Sequence, residues 1–340
     1  MRKFLQGTLW EDNGRVAIFL FSLLIGIGLF VWIGKVVGWQ EIKKAFLVFT
    51  GWQGMVILGL TVLIALIGNW KWKEILRGEG VKISFLELFK PYLTGFSIMF
   101  LAPVLLWAGE IFRGYYLKER SSVPWLKGMA SIIIDRILEW TTNLVVIFFG
   151  TLFFLYKIGL PPKNIGIIFG GVFFIFVVGI SFFYFKAFKK ESVAKTFVKI
   201  FNNQSDGQPL EIEKEIFNFF RPKKLATWKV VGISFLRAAV MYFRVWLLIF
   251  FLGKSIEGLS ALSILGFTYL AVMIPIPTAL GSHETIQMFA FKSLGLGASS
   301  ATAFAMIIRG AELLIALAGV IILFRAGIFL LKGILFKKIK

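Results

Sequence analysis

The sequence predicts an all-α polytopic membrane protein with about six full spans plus two re-entrant hairpins, arranged as an inverted internal repeat. Three observations predict it. Hydrophobic residues fill 58% of the 340 positions, with a mean hydropathy of +0.83. Apolar runs long enough to cross a bilayer recur along the chain. Two of those runs are broken by proline and glycine beside ionisable side chains, as in Pro275-Ile-Pro-Thr-Ala-Leu-Gly-Ser-His283-Glu284. Proline removes a backbone donor and clashes with the preceding turn. Broken backbone at membrane depth is tolerated only where it is buried in protein or lines a polar cavity.

The elements follow in order. After a short basic lead-in, Val16 to Val37 reads as a first span and an uncleaved anchor, since no small-residue cleavage site follows it. A loop leads to a second span, Gly51 to Asn69, which ends in Trp70-Lys71-Trp72-Lys73, a basic aromatic pattern suited to the membrane interface. Residues 86–109 are apolar but interrupted by Lys90, Pro91 and Pro103, and read as the first hairpin. A long span from Trp125 to Tyr156 carries Asp135, Arg136 and Glu139. Pro161-Pro162 marks a turn before a fourth span, Ile165 to Phe185. The polar insertion 186–228 holds apolar residues at helical spacing from Leu210 to Phe220. Two readings of it stand: a helix lying on the membrane surface, or an ordinary amphipathic loop helix. A fifth span, Lys229 to Leu252, carries Arg237 and Arg244. The second hairpin, 262–284, contains Pro275, Pro277 and Gly281, and a last span from Ser299 to Phe324 holds Arg309 and Glu312.

The halves 1–160 and 161–340 echo one another. Pro103 and Glu110 are offset by 174 from Pro277 and Glu284, and Arg136 with Glu139 is offset by 173 from Arg309 with Glu312. Lys71 and Arg244 share the offset of 173. A polar series in matching order at nearly constant offset implies duplication. With the hairpins returning to their own side, Lys and Arg gather on one face, including Lys71, Arg113 and the 186–229 segment. The positive-inside rule then makes both termini cytoplasmic. Three full spans per half is an odd number, so the halves are inverted, as in many secondary transporters.

Composition excludes other classes. The net charge of +20 is better explained by cytoplasmic loops that attract anionic inner-leaflet lipid than by nucleic acid. With no cysteine and one histidine, disulfides, thiol chemistry and a histidine-rich metal site are excluded, and no metal or cofactor is expected. The phosphate-gripping G-x-x-x-x-G-K-[ST] pattern is absent, so ATP hydrolysis by that route is excluded, and no Ser-His-Asp set can be assembled.

An ionised group in hydrocarbon costs at least ~2.5–3.5 kcal/mol, so such residues pair or face a cavity. For Arg136–Glu139 and Arg309–Glu312, a neutralising pair within one helix and a functional role weigh equally. Glu110 and Glu284 each follow a broken segment near a helix start, where a carboxylate is favoured. They suit gating, proton coupling or neutralisation, as do Asp135, Glu139 and Glu312. Arg237 and Arg244 lack an acidic partner at i±3 or i±4. Either a phosphate occupies the guanidinium fork, or a carboxylate from another helix does. Arg113, Arg136, Arg309 and His283 complete the set expected at the substrate, with His283 a candidate proton-sensitive switch.

Three stretches resemble the lysylphosphatidylglycerol synthetase transmembrane (flippase-like, UPF0104-type) family. They are Pro277-Thr-Ala-Leu-Gly281-Ser-His283-Glu284, Gly109-Glu110-x-x-Arg113 after Pro103, and the Asp135-Arg136 span. The family's signature is similar to P-G-G-L-G-x-R-E; here Thr278-Ala279 replace the two glycines and His283 the arginine. The resemblance covers Trp70 to the C-terminus. It implies movement of a lipid between leaflets, without the soluble aminoacyltransferase domain to which such a region is fused in the multiple peptide resistance factor.

The expectation is therefore a flippase of the plasma (inner) membrane for a phospholipid or polyprenyl-phosphate headgroup, with no enzymatic activity. The rivals are an intramembrane lipid-modifying transferase using Glu110 or Glu284 as base, and a non-transporting partner of an envelope-lipid synthase. A homo-oligomer is compatible with either.

Overall fold

The computed structural model describes residues 51–101, 107–161, 163–189, 191–192, 208–220, 225–273 and 279–337; for 165, 208–209, 279–285, 298 and 325–337 it describes the backbone only. Every element among them is an α-helix. In chain order these are α1 (Trp52–Gly78), α2 (Phe85–Leu101), α3 (Ala108–Ser121), α4 (Trp125–Ile158) and α5 (Lys163–Lys189). They continue as α6 (Gln208–Phe219), α7 (Leu225–Phe251), α8 (Gly258–Met273), α9 (Ala279–Ser293) and α10 (Ala298–Lys337). Five of them, α1, α4, α5, α7 and α10, contain stretches long and apolar enough to cross a bilayer. The chain is a multi-pass all-α membrane protein. The anticipated first span, 16–37, lies outside the described residues.

Two elements run further than their sequence suggested. α1 continues past Asn69 to Gly78, because Lys71 and Trp72, read as interfacial, are buried at 2% and 0% exposure. A charge that finds a buried partner does not end a helix. α2 passes through Lys90 and Pro91, so the proline costs one backbone bond rather than the helix. The apolar face of α6 is turned inward: Ile216 and Phe219 pack with Ile75, Ile134, Leu138 and Val230. That packing fits the second of the two readings for this segment, an ordinary amphipathic helix whose apolar side meets protein.

The packing is reciprocal between the halves. α1 lies against α7, α2 against α10, and α8 against α4. Both of the latter seams are made by a glycine that lets backbones touch. A Cβ on Gly150 of α4 would stand 2.7 Å from the Leu262 carbonyl of α8, and one on Gly319 of α10 would stand 2.4 Å from the Leu93 carbonyl of α2. A serine closes each seam: Ser263 Oγ donates to the Gly150 carbonyl, and Ser97 Oγ to the Ala316 carbonyl, both at 2.7 Å. Small residues and interhelical hydroxyl bonds are the means of association left to helices in lipid, where apolar burial gives no driving force. α5 stands apart. Nothing in its spanning window is buried, and it meets the bundle through ring edges such as Phe176 on Trp140 and Phe169 on Phe267.

Candidate functional site

α4 places Asp135, Arg136 and Glu139 within little more than one turn of a mostly apolar helix, and three other helices bring charges to meet them. Asp135 is 2% exposed and takes two cations. Lys71 of α1 has its Nζ 2.8 Å from Oδ1, and donates a hydrogen bond to the Asp135 carbonyl at 3.2 Å. Arg113 of α3 donates from Nη2 to Oδ2 at 3.3 Å. Its guanidinium lies 3.9 Å from the centre of the Trp72 ring and 5.3 Å from that of Tyr92. Trp72 is fixed in turn, donating from Nε1 to Ser131 Oγ at 3.1 Å. The arginine is therefore held by a carboxylate at its rim and by aromatic faces on its plane, an arrangement a lysine cannot reproduce.

A second line of charge continues from the same helix. Arg136 bridges two carboxylates, with Nε 3.1 Å from Glu110 Oε1 and Nη1 2.6 Å from Glu139 Oε2. The other oxygen of Glu139 accepts from Arg237 Nη1 at 2.7 Å. The series Glu110–Arg136–Glu139–Arg237 thus links α3, α4 and α7 through alternating signs. It ends at a small polar cavity of about 10 Å³, room for about one water, whose walls include Lys71, Glu139, Asn143, Ser234, Arg237 and Tyr269. Arg237 Nε is buried with no acceptor among the described residues, and Tyr269 gives its hydroxyl proton to a thioether, Met241 Sδ, a weak acceptor.

Away from this cluster, Arg244 of α7 has Nη2 3.3 Å from Glu312 Oε1 on α10 and donates from Nη1 to Thr61 Oγ1 of α1 at 3.1 Å. Taking ions out of water costs several kcal/mol each, and good geometry is needed to offset it. Here helices that already pack for other reasons hold the partners in place.

Six of the residues singled out in the sequence are brought together: Glu110, Arg113, Asp135, Arg136, Glu139 and Arg237. Arg237 was expected to face either phosphate or a carboxylate of another helix; its partner is Glu139. Arg244, weighed in the same way, takes a carboxylate across helices, Glu312 of α10. Arg309 is half-buried on α10. Pro103, Pro275 and Pro277 lie outside the described residues. Gly281, His283 and Glu284 belong to α9, and their side chains lie outside the described set. Lys71, Trp72, Tyr92 and Thr61 were not read as part of the site. For Lys71 the signal was present: it shares the repeat offset of 173 with Arg244, and each turns out to meet a carboxylate of a later helix.

Comparison with known proteins gives two likenesses. The family model described as Lysylphosphatidylglycerol synthase TM region matches residues 19–319. A UPF0104 membrane protein of Methanocaldococcus jannaschii is 25% identical over 268 residues, covering 74% of this chain and 77% of that protein. No solved structure matches.

Proposed function

This chain belongs to the lysylphosphatidylglycerol synthase TM region family, and from that premise we propose that it is a lipid transporter of the plasma membrane. It moves a phospholipid or polyprenyl-phosphate headgroup between leaflets through the charged interior while the tails stay in the bilayer. The observation that carries this reading is the alternating series Glu110–Arg136–Glu139–Arg237, which ends at a polar cavity inside membrane-spanning helices. Such charges are expensive in hydrocarbon and mark substrate or ion pathways. Arg237 holds the phosphate, and Glu139 is the counter-ion it shares with Arg136. Glu110 transmits the exchange to α3.

The reciprocal seams support an inverted repeat in which α2–α3 and α8–α9 are re-entrant hairpins and both termini are cytoplasmic. In this scheme the two hairpin–span units, α2 on α10 and α8 on α4, rock about the α1–α7 contact to give alternating access. No group in the cavity is arranged as a nucleophile with its base, so the proposed role is non-catalytic.

The test is transbilayer movement of labelled phospholipid in vesicles reconstituted with the parent, Glu139→Gln or Arg237→Ala. Losing a hydrogen bond to a charged group costs ~1.5–3 kcal/mol, so about ten-fold slower movement or more is expected for each variant. Equal rates for all three reject these residues as the pathway.

A further inference from the structure

Between α4, α5 and α8 lies a cleft of about 490 Å³, separate from the charged cavity. That volume falls within the range of small-molecule sites, roughly 300–1,000 Å³. Its lining is apolar. Ile147, Thr151 and Leu155 form one ridge of α4 at i, i+4 and i+8, facing Phe267 of α8 and Gly170 of α5. The ridge is about 12 Å long at the rise of a helix. Gly170 leaves the α5 wall open, since a Cβ there would meet nothing within 4 Å.

At one end of the cleft stands Lys163, the first residue of α5, whose N-terminal backbone N–H groups add positive potential at the same point. The neighbouring Lys157 is taken by Glu257 at 2.8 Å. No carboxylate takes Lys163 among the described residues.

From this arrangement we infer a binding site for an anionic phospholipid: one acyl chain lies in the α4–α5–α8 cleft and the phosphate sits at Lys163, in the leaflet at the N-terminal end of α5. Apolar surface cannot select the chain, because lipid tails are as apolar as leucine. The cleft therefore fixes position and the lysine fixes identity. At Gly166 and Gly170 α5 sends no side chain into the cleft, and there the lipid chain fills its inner face. This site goes beyond the transport reading and does not depend on it.

The test uses the full chain in phosphatidylcholine nanodiscs. Phosphatidylglycerol with a photoreactive diazirine at its acyl terminus is added, and the crosslinked peptides are mapped. Labelling is expected on the 144–173 stretch, saturable, and competed about five-fold better by unlabelled phosphatidylglycerol than by phosphatidylcholine, the effect of one lysine near an anionic surface. Lys163→Gln is expected to abolish that preference and keep the labelling. Gly170→Phe fills the cleft and is expected to remove the labelling, with Gly170→Ala as the folding control. Labelling that never saturates, or that falls equally on outward residues such as Phe174 and Phe243, overturns the proposal. So does labelling unchanged in a Gly170→Phe protein that melts with the control. Should that variant fail to fold, unchanged headgroup preference in Lys163→Gln overturns it instead. Transport absent from the parent protein, with saturable labelling present, would sink the transport reading and leave this site standing.

Discussion

Asp135 and Glu312 are both carboxylates within long apolar helices, and they keep unlike company. Asp135 is 2% exposed and is approached by Lys71, Arg113 and Arg136. Glu312 is 29% exposed and meets Arg244 at 3.3 Å. Their cation partners Lys71 and Arg244 are offset by 173 in the sequence, and each reaches from one helix to a carboxylate of another. The difference comes from α3, which supplies Glu110, Arg113 and, through Arg113, the stack on Trp72. Crowding cations onto one dry carboxylate makes a keystone. A carboxylate that is 29% exposed can exchange its partner for water.

That contrast has a large energetic consequence. Asp135→Ala strands Lys71 and Arg113 without their counter-charge, and removing one member of a buried pair costs about 3–5 kcal/mol. Equilibrium unfolding in bicelles is expected to show a loss of that size, and for Glu312→Ala less than half as much. Equal losses would erase the distinction between the two clusters.

The next effect probes the frame that both clusters hang on. Gly150→Ala and Gly319→Ala each drive a methyl into a carbonyl of the facing helix, at 2.7 and 2.4 Å. Overpacking of this kind costs about 1–3 kcal/mol. Similar losses at the two positions would sharpen the view that the halves are built alike; a loss at only one would show that a single seam carries the fold. Gly170→Ala, which meets nothing within 4 Å, is expected to leave stability unchanged or raise it.

These seams also show what can be read from sequence and what cannot. The ends of α4 and α7 lie close to their expected positions because long, mostly apolar runs bounded by proline, glycine or lysine state their own limits. Ser299 to Phe324, the final expected span, falls inside α10, which runs from Ala298 to Lys337. Lys71 was misplaced because Trp-Lys-Trp-Lys is the composition of an interface, and composition does not say which face of the helix meets α4. The partnership of Arg237 with Glu139 spans 98 positions, and no local spacing encodes it. Arg136 with Glu139 was legible because i, i+3 neighbours share a helix face. The reciprocal seams rest on Gly150 with Ser263 and on Gly319 with Ser97, residue types too common to stand out before the helices are docked.

A smaller change isolates the aromatic contribution within the keystone. Arg113→Lys keeps the charge beside Asp135 but gives up the planar stack on Trp72 and Tyr92. The expected loss is about 1–2 kcal/mol in the same unfolding measurement, the scale of a desolvated cation–π contact. Trp72→Leu in the Arg113→Lys background should then cost less than in the parent. Additive losses would mean that the ring and the guanidinium act independently.

The smallest effect comes from a pair that by distance alone ought to match the keystone. Lys157 stands 2.8 Å from Glu257, the same separation as Lys71 from Asp135, yet its partners are 39% and 70% exposed rather than 2% each. In water the Coulomb gain is small, and both side chains give up rotamer freedom to make it, so exposed pairs contribute about 0–1 kcal/mol. Lys157→Met is therefore expected to shift unfolding by less than about 1 kcal/mol. That shift should vanish in 1 M salt, where the Debye length falls to about 3 Å. Lys71→Met should cost several-fold more and show no salt dependence, because screening ions do not enter the bundle. If the two methionine variants behave alike, distance rather than burial sets the strength of these contacts, and the contrast between the two carboxylates loses its physical basis.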